Sequence, residues 1–140
     1  MSGYARHSGV AAYQSISTHG GVSGADPHRL VLMLMDGALD RMAVARGCLE
    51  RNQRGDVGRK AQLLSQCMRI VAELRGSLNL KDGGELANNL NDLYDYMWRQ
   101  LLRANADNNV GCLNEAMSLL GEIRSAWIAI GPEVRGRAPA

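Results

Sequence analysis

The sequence predicts an all-α fold: an antiparallel four-helix bundle with a flexible N-terminal arm that has room for one short extra helix. Three observations carry this prediction. Four segments repeat apolar residues at three- and four-residue spacing, the period of a helix with one buried face. Short polar breaks join them, as they do between antiparallel neighbours in a bundle. No stretch alternates apolar and polar residues as a half-buried strand would, and phenylalanine is absent.

The arm comes first. Residues 1–25 are rich in Gly, Ser and Ala and have no long apolar period, although Ala11 to Ile16 has the composition of one helical turn. The bundle is expected over residues 26–131. Its first helix opens at Asp26-Pro27, an N-cap followed by a proline at the first helical position. Val31, Met35, Ala38, Met42, Ala45 and Leu49 then form its stripe, and Gly55 lies in the break. The second carries Val57, Ala61, Leu64, Met68, Val71, Leu74 and Leu78, and stops at the turn signal Lys81-Asp82-Gly83-Gly84. The third shows Leu86, Leu90, Leu93, Met97, Leu101 and Ala104, followed by polar punctuation from Asn105 to Asn109, with Asp107 offered as a cap. The fourth holds Val110, Leu113, Met117, Leu120, Ile123, Trp127 and Ile130, with its end placed at Gly131-Pro132. Residues 132–140 read as a disordered tail. Each helix of ~20–25 residues would be ~30–37 Å long.

Composition narrows the function. Among 140 residues, 46% are apolar and 21% charged, enough for one domain with its own core. The net charge is only +2, with basic and acidic residues interspersed, so no nucleic-acid footprint stands out. Arg51, Arg54, Arg59 and Lys60 cluster at one corner, but Glu50 and Asp56 sit among them and no aromatic residue interleaves. That corner reads as solvated. Cys48, Cys67 and Cys112 are odd in number and far apart, each inside a helical pattern, which suggests buried thiols in a reducing compartment. The start MSGYARHSGVAAY lacks the charged opening and apolar run of a secretory signal, and no apolar run reaches the ~18 residues that span a bilayer. The expectation is a cytoplasmic domain with no stable membrane insertion.

Catalytic chemistry has no residue set to stand on. His7, His19 and His28 all lie in or beside the arm, and none stands in the Glu-x-x-His spacing of di-iron bundles. There is no His-Glu-x-x-His, no Cys-x-x-Cys and no phosphate-cradling loop. The chain is expected not to be an enzyme, with no metal and no cofactor.

What is left over points to a protein partner. Three of six aromatic residues fall in Tyr94-Asp95-Tyr96-Met97-Trp98, and one helix face cannot hold all three. Two readings of Tyr94 stay open here: the edge of the core with a wet hydroxyl, or the wall of an aromatic and methionine-lined groove. Leu30 to Met35 is apolar on every side, too much for one stripe. Leu32 and Met33 therefore face either a further element or something outside the fold, and Tyr13 and Ile16 of the arm could cover them. Trp127 reads as core.

The ordered set of residues also resembles a known family. It begins with Tyr13, then Ala25-Asp26-Pro27, Leu30-Val31 and Met33-Leu34-Met35-Asp36-Gly37-Ala38. Leu74, Ser77-Leu78, Gly84-Glu85-Leu86-Ala87 and Asn89-Leu90 follow. Leu93-Tyr94-Asp95-Tyr96-Met97, Leu101, Ala104-Asn105, Leu120, Ile123-Arg124 and Ala126-Trp127 complete it. This pattern, from Tyr13 to Ile130, resembles the flagellar secretion chaperone FliS family, the flagellin-specific export chaperones. It departs from the family at Met35, where an aromatic residue usually precedes Asp-Gly, and its arm is richer in Gly and His.

The resemblance implies a small helical bundle that binds the disordered C-terminal region of flagellin in the cytoplasm. Such a protein blocks premature filament assembly and presents the subunit to the type III export gate through the cytoplasmic domain of FlhA. No nucleotide or metal is implied. Matched positions and unexplained apolar surface together nominate the partner-binding residues: Tyr13 and Ile16 as arm cover, Leu32 and Met33 on the first helix, and Asn89, Tyr94, Tyr96, Trp98 and Leu101 on the third. The free protein is expected to be a monomer or weak homodimer. The alternative is a helical adaptor or regulator with a different protein partner.

Overall fold

The computed structural model describes residues 26–136, with side chains through residue 130. The arm residues Tyr13 and Ile16 lie outside the described residues. The described chain forms four helices: α1 (Pro27–Arg51), α2 (Asp56–Gly76), α3 (Gly84–Asp107) and α4 (Val110–Gly136). They pack as a closed ring in which α1 meets α2 and α4, and α3 meets the same two. Cross-helix bonds at two levels fix α1–α2 and α2–α3 as antiparallel, and the two-residue turn at 108–109 returns α4 against α3. Arg41 reaches Gln66 and Cys67 reaches the Ala38 carbonyl between α1 and α2. Arg75 reaches Asn91, and Lys60 the Asn105 carbonyl, between α2 and α3.

Local chemistry sets the helix ends. The Asp26 carboxylate accepts from the His28 N–H at 3.0 Å, and Pro27 occupies the first turn, as the sequence predicts. Asn52 and Asn108 close α1 and α3 in the left-handed conformation, at φ 50° and 52°. Their N–H groups return to the Cys48 and Ala104 carbonyls. Asn79 organises the α2–α3 turn: its side chain accepts from the Asp82 N–H at 3.0 Å, and its carbonyl from the Gly83 N–H at 2.6 Å. Gly84 then enters α3 at φ 66°, a conformation that suits glycine.

Three boundaries differ from the sequence reading. The cap of α4 is Asn109, whose side chain accepts from the Cys112 N–H at 3.0 Å, not Asp107, which is the last residue of α3. Helix α2 ends at Gly76, before the Lys81–Gly84 signal, while Leu78 stays buried in the turn. Helix α4 runs through Pro132 to Gly136, so residues 132–136 are helical rather than tail. Proline removes a single N–H from the ladder, and its neighbours on both sides keep helical backbone.

The core is a column of residues with no exposure: Val31, Met35, Ala38, Met42 and Ala45 from α1 meet Leu64, Val71, Leu74, Met97, Leu101, Leu113 and Leu120. Two stripes are shifted from the predicted ones. On α3 the buried face is Ala87, Leu90, Tyr94, Met97, Leu101 and Ala104, whereas Leu86 and Leu93 are solvent-facing, at 40% and 36% exposure. On α2 Val57 is exposed, and Lys60 and Cys67 stand in the stripe. Lys60 is tolerated there because its ammonium donates to the Asn105 carbonyl, 2.8 Å away, near the C-terminal end of α3.

At the other end of the bundle, α1 and α4 are clamped by a reciprocal pair. The Trp127 indole N–H donates to the His28 carbonyl at 2.8 Å. His28 Nε2 lies 2.6 Å from the Trp127 carbonyl, which can only accept, so that nitrogen carries a hydrogen. The two rings stack with centroids 4.8 Å apart. Arg124 and Asp36 add an ion pair one to two turns further along.

Candidate functional site: the furrow between α2 and α3

Small side chains open a furrow along the outer seam of α2 and α3. Ala72 and Gly76 are both exposed on α2, and a Cβ added at Gly76 would meet nothing within 4 Å. Around them lies a cleft of about 600 Å³ walled by Val71, Leu78, Leu80, Tyr94 and Trp98. A smaller depression beside it, lined by Met68, Ala72 and Trp98, continues the seam, while a third, more polar one lies over the outer face of α2 at Arg69, Glu73 and Ser77. The seam cleft has the size and apolar character that protein grooves use to seat side chains of a partner helix or extended segment.

One edge of the cleft is polar and ordered. Arg75 of α2 donates to Asn91 at 2.8 Å and to Asp95 at 3.0 Å, both on α3. Arg99 pairs with the other Asp95 oxygen at 3.1 Å. These groups are partly exposed, so the network contributes geometry more than stability. It holds the rim of the furrow while leaving the apolar walls uncovered.

The residues nominated from sequence distribute as follows. Trp98 is half-buried and lines the furrow, so the structure brings it together with Tyr94. Tyr94, however, has no exposed area and is a core residue whose ring forms the inner wall. Leu101 also has no exposure and offers nothing to a partner; it supports the seam from within. For Tyr94 the cause is that the buried face of α3 takes Ala87 and Tyr94 in place of Leu86 and Leu93; Leu101 stands in both stripes and is simply core.

Tyr96 and Asn89 face away from the furrow, on the α4 side of α3. There the Tyr96 hydroxyl donates to Glu115, and this hydrogen bond to a carboxylate raises the phenol's pKa above its ordinary value. On α1, Leu32 is half-buried against the core and Met33 is 58% exposed. Helix α1 is diagonal to α3 in the ring, so these two do not share a surface with the α3 positions. Sequence reasoning missed Leu78, Leu80 and Arg75. The available signal was Leu80, an apolar residue just before the Lys81–Gly84 turn that the stripe ending at Leu78 did not absorb.

The opposite corner of the bundle is self-satisfied. Arg51 and Asp56 pair at 2.9 Å, and the hydrogen bond holds the carboxyl below, and the guanidinium above, their ordinary values. Among the described residues, no group of three or more His, Cys, Asp and Glu could hold a metal ion. No described helix is long and apolar enough to cross a membrane.

Comparison with known proteins accounts for nearly the whole chain. The family model for the flagellar protein FliS matches residues 9–134. The flagellar secretion chaperone FliSB of Pseudomonas aeruginosa is 43% identical over 118 residues, covering 84% of this chain and 91% of the relative. The flagellar secretion chaperone FliS of Salmonella typhimurium is 42% identical over 127 residues, covering 90% and 92%. The FliS of Vibrio cholerae is 37% identical over 124 residues, covering 89% of each chain. With its helical ring, its late Ala-Trp pair in α4 and its aromatic run in α3, the chain belongs to the FliS family of flagellar proteins.

Proposed function

We propose that this chain is an export chaperone that holds the disordered C-terminal region of flagellin in the cytoplasm and seats part of it in the α2–α3 furrow. Bound there, the flagellin end is kept from pairing with its own kind and from premature polymerisation. The complex is then delivered to the type III export apparatus through the cytoplasmic domain of FlhA. The protein works by binding, without turnover, metal or nucleotide.

The observation that carries this reading is the open apolar furrow, walled by Leu78, Leu80 and Trp98, on a chain whose relatives are named flagellar secretion chaperones. An amphipathic flagellin segment has an apolar face to bury, and ordering a disordered segment consumes part of the gain, so a long contact suits it. The depression beside Met68 and Trp98 adds to that length.

The test is calorimetric titration of the full chain with the C-terminal segment of flagellin from the same organism, repeated at several temperatures. One-to-one saturation with a negative heat-capacity change is the expected result. Trp98→Ala should weaken the complex by about 2 kcal/mol, roughly thirtyfold, as loss of a central aromatic anchor does. Absence of saturation well above micromolar concentrations overturns the client assignment and favours a helical adaptor for another partner.

A further inference from the structure

The α4 side of α3 carries a second apolar surface that neither the core nor the furrow uses. Leu86, Leu93 and Tyr96 are 40%, 36% and 37% exposed. Their spacing of seven and three residues places them on one face of the helix, over ~15 Å. That face is turned toward α4, because Tyr96 and the buried Gln100 both donate to Glu115 of α4. Following this antiparallel register, Leu93 stands opposite Leu119 and Ile123, and Leu86 opposite the turn that holds Ala126. Leu119 and Ile123 are themselves only partly buried. The surface is a ledge of branched apolar side chains with an orderly lower end: Glu115, with both oxygens engaged, fixes the Tyr96 ring there.

The charge around this ledge is mainly negative. Glu85 and Asp92 border it on α3 and Glu122 borders it on α4, all three exposed. Two of the cations nearby are committed: Arg99 pairs with Asp95 on the far flank of α3, and Arg124 pairs with Asp36 of α1. Arg103 stands at the lower end, where its charge reaches the Tyr96 hydroxyl. An apolar strip bordered along its length by three carboxylates, with one cation at its lower end, fits a partner whose apolar face is flanked by lysine or arginine.

We propose that the α3–α4 ledge is a docking surface for a basic amphipathic helix of a partner protein, separate from the α2–α3 furrow. The two surfaces lie on opposite flanks of α3, so a partner helix can sit on the ledge while the furrow is filled. The assignment rests on the ledge's own geometry and charge, and stands whether or not flagellin fills the furrow.

The experiment uses the isotope-labelled full chain and two synthetic helical peptides of about 18 residues, long enough to cover the ledge. Both carry the same leucine face; one has lysine flanks and the other glutamate flanks. The lysine peptide should saturate, with resonance shifts centred on Leu86, Leu93, Leu119 and Ile123, and the glutamate peptide should bind at least about tenfold more weakly. Reversing the border with Glu85→Lys, Asp92→Lys and Glu122→Lys should invert that preference. Leu93→Asp, at an exposed position that leaves the core intact, should weaken the lysine peptide about tenfold. Equal binding of the two peptides, shifts centred on Arg75 and Trp98, or no saturation at millimolar peptide would each overturn the proposal.

Discussion

Tyr94 shows how a single residue can serve two surfaces. It has no exposure and belongs to the core, yet it lines the furrow beside Val71. Tyr94→Ala should therefore cost about 3–5 kcal/mol of stability, as truncation of a buried aromatic does, measured by urea unfolding. Trp127 acts at the other end of the molecule. Trp127→Phe keeps the stacked ring but leaves the buried His28 carbonyl without its indole donor, and should cost about 1–3 kcal/mol in the same measurement. Cys67 gives a pH dependence. Burial without exposure pushes its thiol from 9.0 up to about 12. In the unfolded chain the thiol ionises at its ordinary value, whereas in the folded chain it stays protonated. The contribution is thus fully present below about pH 9 and is lost as pH rises from 9 toward 12. Cys67→Ala should flatten the alkaline limb of the stability curve, and intact Cys67 should resist alkylation until the protein unfolds.

At the scale of the element, α3 is the working helix: it buries one face, walls the furrow with a second and presents the ledge with a third. Its existence was legible in the sequence, as was that of α1 and α2, because the apolar period, the Asp26-Pro27 start and the glycine-rich turn all agree, although α2 ends at Gly76, short of that turn. Its rotation was not legible. Leu86, Leu90, Leu93 and Met97 satisfy helical spacing as well as Ala87, Leu90, Tyr94 and Met97 do, and leucine looks the better core residue than tyrosine or alanine. The choice between them is made by the neighbouring helices, which have room for the Tyr94 ring and for the small Ala87 and Ala104 side chains. The same ambiguity put Tyr94 on the groove and left Leu93 inside. Cap identity failed for a related reason, since Asp107 and Asn109 are both good caps and only the two-residue turn selects Asn109. That turn depends on Asn108 in the left-handed conformation. Asn108→Gly should be neutral or slightly stabilising, whereas Asn108→Val should cost about 1–2 kcal/mol, read from thermal unfolding.

At the scale of the whole molecule, the furrow is partly built from the core: Val71, Leu78 and Tyr94 are buried and also wall it, whereas Leu80, Leu86 and Leu93 stay exposed. The apolar surface offered to partners is thus a surplus set at the edge of the core. The sequence disclosed that surplus only as an excess of apolar and aromatic residues over what four stripes can absorb. It could not show where the surplus lies, because the furrow is made by absent side chains at Ala72 and Gly76 and by two leucines outside any helix. A client that binds only the folded ring should also stabilise it, by about 2.7 kcal/mol at a free concentration one hundred times its dissociation constant.

The most direct test of the central claim is amide hydrogen exchange of the full chain, with and without the C-terminal flagellin segment. The account predicts new protection in residues 68–80 and 91–98, the two sides of the α2–α3 furrow, and little change in the middle of α1. Protection confined to α1, or none at saturating segment, would contradict it.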